Sequence, residues 1–98
     1  MAYLVEYSCA SAKFIKKARK NKPLAEYLKK VNQQLENDYV SLSVESLSGK
    51  LRFLQSHHFR VGGVDYRLVF SVEEDRKLIY VWLVGPRENF YKELLKRV

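Results

Sequence analysis

Two arginines stand beside the most apolar stretches of this 98-residue chain, Arg67 in "VDYRLVF" and Arg87 in "VGPRENFY". Stripping a guanidinium of water costs on the order of several kcal/mol unless a partner replaces the water. Each is therefore either paired inside the protein or held for an anion from outside. With His58, Arg60 and Tyr91 they are the residues whose types could carry chemistry. Arginine's planar fork of donors matches the oxygens of a phosphate and keeps its charge at any physiological pH. Two or three converging arginines suit a phosphodiester whose charge grows in the transition state. Tyrosine can stack on a base or transfer a proton, and histidine ordinarily titrates near neutrality. RNA brings its own nucleophile, the 2′-OH, so such a set needs neither metal nor cofactor. Blander roles compete at each position: Arg67 could pair with Glu73 or Asp65, Tyr91 could pack with Leu94 and Leu95, and His58 could be an ordinary half-exposed side chain.

Other chemistries lack their residues. His57 and His58 are neighbours on an expected strand, so their side chains diverge, and Cys9 is distant in sequence; metal ligation is not expected. No Gly-rich phosphate loop, zinc pattern or nucleophile elbow is present, and the acids of "EEDRK" fall in one turn. A single cysteine forms no intramolecular disulfide, which suits a reducing cytosol. The N-terminus has no signal-peptide pattern, and the longest apolar run, Leu78 to Val84, is far too short for a bilayer. The expectation is a cytoplasmic protein with no membrane partner. Eighteen Lys and Arg against eleven Asp and Glu leave a net charge of +7, which favours a polyanion or an acidic protein. Lys13 to Lys30 holds eight basic residues and one acid, either a nucleic-acid surface or a solvated helix face.

The elements that must position these residues follow from periodicity. Alternation of Tyr3, Val5 and Tyr7 predicts a first strand over residues 2–7. Ser8 or Ser11 can cap a helix with Ala10, Phe14, Ile15 and Ala18 inside and Lys13, Lys16, Lys17, Arg19 and Lys20 outside. "NKP" ends it and starts a second helix with Leu24, Tyr27, Leu28, Val31 and Leu35 inside, on which Lys29 and Lys30 extend the basic surface. Residues 39–50 lack a clean period and are expected to be a loop, with at most a turn of helix. Strand two is predicted over Leu51 to Val61, burying Leu51, Phe53, Phe59 and Val61 and turning Arg52, His58 and Arg60 outward. After the turn "GGVD", strand three places Tyr66, Leu68, Phe70 and Val72 on one face and Arg67, Val69 and Ser71 on the other. Leu78 to Val84 is apolar on both faces, as in a central strand. Gly85 and Pro86 are expected to open a last helix, Arg87 to Val98, docked by Phe90, Leu94, Leu95 and Val98. Ninety-eight residues with 47% hydrophobic content fit one domain, residues 1–98. The class is α+β: an N-terminal strand, a helical hairpin, a three-stranded antiparallel meander and a C-terminal helix, the helices on one face of the sheet. Arg67, Arg60 and His58 then emerge on the opposite face as a basic cleft.

The element order, "YRLVF" and the junction "VGPRENFY" resemble the RelE/ParE superfamily of bacterial toxins from type II toxin-antitoxin systems, over nearly all of residues 2–95. For RelE-like members the resemblance implies a ribosome-dependent endoribonuclease, an mRNA interferase that enters the A site and cuts the messenger by attack of the RNA 2′-OH on the adjacent phosphate. Arg67 matches the family's catalytic strand arginine, Arg87 its second arginine, and Tyr91 the helix tyrosine at that offset. His58 and Arg60 stand where many members have lysines, and Pro86 replaces a common basic residue. The resemblance also implies an acidic cognate antitoxin, and contacts to ribosome and messenger through Lys13, Lys16, Lys17, Lys20, Lys29, Lys30 and Arg52. Two other functions share the fold or the charge: a ParE-like inhibitor of DNA gyrase, and a non-catalytic RNA-binding module.

Overall fold

A computed structural model describes residues 2–88 and 90–96. Strand β1 (Leu4–Tyr7) turns Val5 and Tyr7 toward the core. It hands the chain to helix α1 (Cys9–Ala18), whose N-cap is Ser8: the hydroxyl accepts from the Ser11 N–H at 3.1 Å. Helix α2 (Lys22–Asp38) is capped by Asn21, with Pro23 in its first turn, where a missing N–H costs nothing. Leu24, Leu28, Val31 and Leu35 are its buried stripe. The segment expected to be loop holds short 3-10 turns at Tyr39–Ser41 and Gly49–Leu51, and between them a two-residue strand, β2 (Glu45–Ser46).

Strands β3 (Gln55–Val61), β4 (Val64–Glu73) and β5 (Leu78–Pro86) complete a sheet of order β1-β5-β4-β3-β2, antiparallel except where β1 runs parallel to β5. Strand two therefore begins at Gln55, not Leu51. Residues 51–54 curl under the sheet, burying Leu54 completely while leaving Phe53 51% exposed. Strand β5 also outruns its expected end: it carries Gly85 and Pro86, and helix α3 (Phe90–Leu95) starts three residues after Arg87. The ladder to β4 continues this far because Arg67 pairs with Gly85 and Tyr66 with Pro86. Val98, assigned above to the last helix, lies outside the described residues.

Both faces of the sheet are covered. Leu68, Phe70, Ile79, Val81 and Val84 pack with the inner stripes of α1 and α2. Val69 and Leu83 face the other way, where Leu54 and the Phe90 and Leu94 side chains of α3 close over them. The expectation of helices on one face holds for α1 and α2 and is corrected for α3. The reason is the apolar pair Val69 and Leu83: covering each is worth about 1.5–3 kcal/mol. A bulge follows directly after the pair. Val69 stands opposite Leu83 and Phe70 opposite Val81, so Trp82 is an extra residue, and Trp82 and Leu83 both reach the second cluster. There the Trp82 indole N–H donates to the Ser71 hydroxyl at 2.9 Å.

Candidate functional site

The turn between β3 and β4 is two glycines, Gly62 and Gly63, at φ of 60° and 80°. This left-handed backbone fits a two-residue hairpin and suits glycine. So tight a turn dictates the register. Val61 pairs with Val64, and from there Arg60 faces Asp65 and His58 faces Arg67. Phe59 and Tyr66 take the core side, so all four of those side chains fall on the opposite face.

There they border an open cleft of about 410 Å³, lined by His58, Phe59, Arg60, Asp65, Tyr66, Arg67 and Arg87. Arg67 is half-buried, and His58 and Arg87 are exposed. Arg87 is tied in by backbone: its N–H donates to the Asp65 carbonyl at 2.9 Å, and its carbonyl accepts from Phe90 at 3.2 Å. That second bond leads into α3 and brings Tyr91, which does not itself line the cleft, beside Arg67, whose guanidinium lies 4.6 Å from the Tyr91 ring centroid. Tyr91 is 38% exposed, so the ring packs on the cation while remaining accessible.

The arginines divide into paired and unpaired. Asp65 faces Arg60, with Nη1 to Oδ1 at 3.7 Å, and Arg60 Nη2 also donates to the Gly63 carbonyl at 3.3 Å. Glu73 pairs with Arg76. Neither carboxylate serves Arg67, and among the described residues neither Arg67 nor Arg87 has an ion-pair partner. A half-buried guanidinium backed by an aromatic ring, beside an exposed one, presents two sets of donors to an anion.

His57, next to His58 in sequence, lies on the core side and is 5% exposed. Its Nδ1 is 2.7 Å from the Ser43 carbonyl, which can only accept, so Nδ1 carries hydrogen; in the neutral ring Nε2 then accepts from the Tyr27 hydroxyl at 2.8 Å. Burial lowers its affinity for a proton below the ordinary 6.5, with the Ser43 carbonyl opposing and His58 adding to the effect. The Tyr27, Phe59 and Tyr66 rings stack beside it. This stack joins α2 to the floor of the cleft, a tie that nothing in the "SHHF" spacing announced. Among the described residues no group of three or more His, Cys, Asp or Glu side chains is placed to hold a metal.

Of the residues singled out in the sequence, the fold gathers His58, Arg60, Arg67, Arg87 and Tyr91. It scatters the lysines. Lys13 and Lys17 border a hollow with Pro86 and Glu88, while Lys16 and Lys29 border a separate groove between α1 and α2. Lys20, Lys30 and Arg52 are exposed, and neither they nor the other four lysines line the cleft. From the sequence, Asp65 is only a possible partner for Arg67. The two-glycine turn was the signal that would have assigned it to Arg60.

A family model described as the ParE-like toxin of type II bacterial toxin-antitoxin systems matches residues 5–95. No curated protein matches the chain. Among solved structures, the chain is similar to a free-state mutant of the Escherichia coli toxin RelE, with 25% identity and a TM-score of 0.73 over 100% of this chain and 99% of that one. It is similar in fold to the E. coli DinJ-YafQ toxin-antitoxin complex, with 21% identity, a TM-score of 0.72 and coverage of 93% and 99%. The toxin-antitoxin complex RelBE2 of Mycobacterium tuberculosis aligns at 18% identity, TM-score 0.67, over 89% and 100%.

Proposed function

The chain belongs to the ParE-like toxins of type II bacterial toxin-antitoxin systems, and from that premise we propose that it is a metal-independent endoribonuclease that enters the ribosomal A site and cuts the messenger. One observation carries the reading: Arg67 and Arg87 border one open cleft with no carboxylate partner among the described residues. In the reaction the RNA 2′-oxygen attacks the adjacent phosphorus and the bond from phosphorus to the 5′-oxygen breaks. The products are a 2′,3′-cyclic phosphate and a 5′-hydroxyl, and one proton passes from the 2′-OH to the leaving oxygen. Arg67 and Arg87 neutralise the phosphate, most strongly where its charge peaks. His58, across the ladder from Arg67, accepts the 2′-OH proton. Tyr91 holds the Arg67 guanidinium in place.

Lys13, Lys16, Lys17, Lys20, Lys29, Lys30 and Arg52 contact ribosomal RNA, whose phosphates their charge suits. The silencing partner is an acidic antitoxin, a reading supported by the +7 charge and by structural relatives described as toxin-antitoxin complexes. A second reading, inhibition of DNA gyrase, is favoured by the family's description as ParE-like, and it needs no phosphate cleft.

Primer extension on a messenger in a reconstituted translation system separates the two. Ribosome-dependent cuts that Arg67→Ala and Arg87→Ala each reduce about 10²–10³-fold are expected, as for loss of one donor to a transition-state oxyanion. An uncut messenger, with folded protein and inhibited gyrase supercoiling, would establish the second reading instead.

A further inference from the structure

Among the described residues, Asp65 is the one carboxylate lining the cleft. Its side chain and its backbone are engaged on different partners: the carboxylate faces the Arg60 guanidinium, and the carbonyl accepts from Arg87 N–H. We propose that Asp65 is a built-in competitor for phosphate, which occupies Arg60 in the free protein and must be displaced before a second phosphate of an RNA strand can bind there. This rests on the reading of the cleft as an RNA site.

The geometry of the pair suits displacement. Arg60 and Asp65 have side chains 67% and 48% exposed, and their closest approach is 3.7 Å, longer than the 2.7–2.9 Å of a tight charge-assisted hydrogen bond. Such a pair is weak. A phosphate can form the shorter, bidentate contact on the same fork, and Arg60 keeps its bond to the Gly63 carbonyl as an anchor. The Gly62-Gly63 hairpin holds Arg60 and Asp65 face to face, so the carboxylate stays beside the site after it is displaced. An isolated anion meets two cations that have no ion-pair partner among the described residues, Arg67 and Arg87. A strand with successive phosphates can fill that position and still have a charge left to turn Asp65 away from Arg60. The pair therefore keeps Arg60 closed to a lone phosphate and opens it to a polynucleotide, which is a specificity role distinct from catalysis.

The test is binding of a fluorescent 2′-O-methyl oligonucleotide, which cannot be cut at its 2′-oxygens, and of inorganic phosphate as competitor, to wild type, Asp65→Asn, Arg60→Gln and the double variant. Asp65→Asn keeps the backbone carbonyl that holds Arg87, and thermal melts establish that each variant is folded. The expected result is oligonucleotide binding roughly two- to fivefold tighter in Asp65→Asn, the range an exposed ion pair supplies, together with stronger competition by phosphate. Neither change should occur in the Arg60→Gln background. A gain of the same size in that background would mean that Asp65 acts only through its long-range charge and would overturn the proposal. So would unchanged, weaker or undetectable binding by Asp65→Asn, or a loss of messenger cleavage with binding intact, which would make Asp65 a proton acceptor. Arg67→Ala and Arg87→Ala report separately on the underlying reading: if both bind as wild type does, the cleft is not the RNA site.

Discussion

The contact between Arg67 and Tyr91 allows positioning to be separated from proton transfer. With the guanidinium 4.6 Å from the ring centroid and the ring 38% exposed, the cation–π attraction belongs at the solvated end of its range, about 0.5–1 kcal/mol. If Tyr91 acts by holding Arg67, its ring matters and its hydroxyl does not. Tyr91→Phe should then cleave within about twofold of wild type, because a phenyl face attracts a cation comparably. Tyr91→Ala should lose roughly two- to fivefold, the same free energy expressed as a rate. Since that loss runs through Arg67, Tyr91→Ala in an Arg67→Ala background should cost nothing further. The assay is single-turnover cleavage of messenger on programmed ribosomes, with toxin in excess so that binding does not limit the rate. A fall of about 10²–10⁴-fold in Tyr91→Phe, the size of a lost general acid or base, would refute the positioning role. Full additivity in the double variant would refute the coupling.

Further outcomes concern the scaffold. His57 is buried with its proton affinity lowered below 6.5, so the unfolded chain takes up a proton more readily than the native one. Its contribution to stability should be complete above pH 6.5 and decline as pH falls from there toward the native value; thermal melts across that range should show the decline in wild type and a shallower one in His57→Gln. Tyr27→Phe removes the hydroxyl bonded to His57 Nε2 and should cost about 1–3 kcal/mol in urea unfolding. Leu94→Ala empties a position that is 0% exposed beneath α3 and should cost about 2–5 kcal/mol. Gly63→Ala forces a side chain onto a backbone at φ 80°, a penalty of about 1–2 kcal/mol even though nothing lies within 4 Å of the added carbon. A melting temperature equal to wild type in any of these three variants would contradict the corresponding contact.

Periodicity alone carried the element order, the helical hairpin and its inner stripes, and the central place of Leu78 to Val84, because burial at period 2 or 3.6 leaves its mark residue by residue. The alternation through "DYRLVF" likewise sent Arg67 to the face opposite Leu68, and "VGPRENFY" put Arg87 and Tyr91 just beyond the strand that begins at Leu78. Three things were decided only by the tertiary structure. The curl of residues 51–54 beneath the sheet exists to cover Val69 and Leu83, and no local pattern distinguishes it from the strand that follows. Strand β5 continues through Pro86 because β4 is long enough to pair with it, although Gly-Pro by itself reads as a helix start. The partner of each arginine depended on register: residues 60 and 65 face one another across a two-glycine turn, and that geometry commits Asp65 to Arg60 and leaves Arg67 without an ion-pair partner among the described residues. Charge and residue type are properties of the sequence, whereas which charges remain unpaired is a property of distances, and only the folded chain sets those.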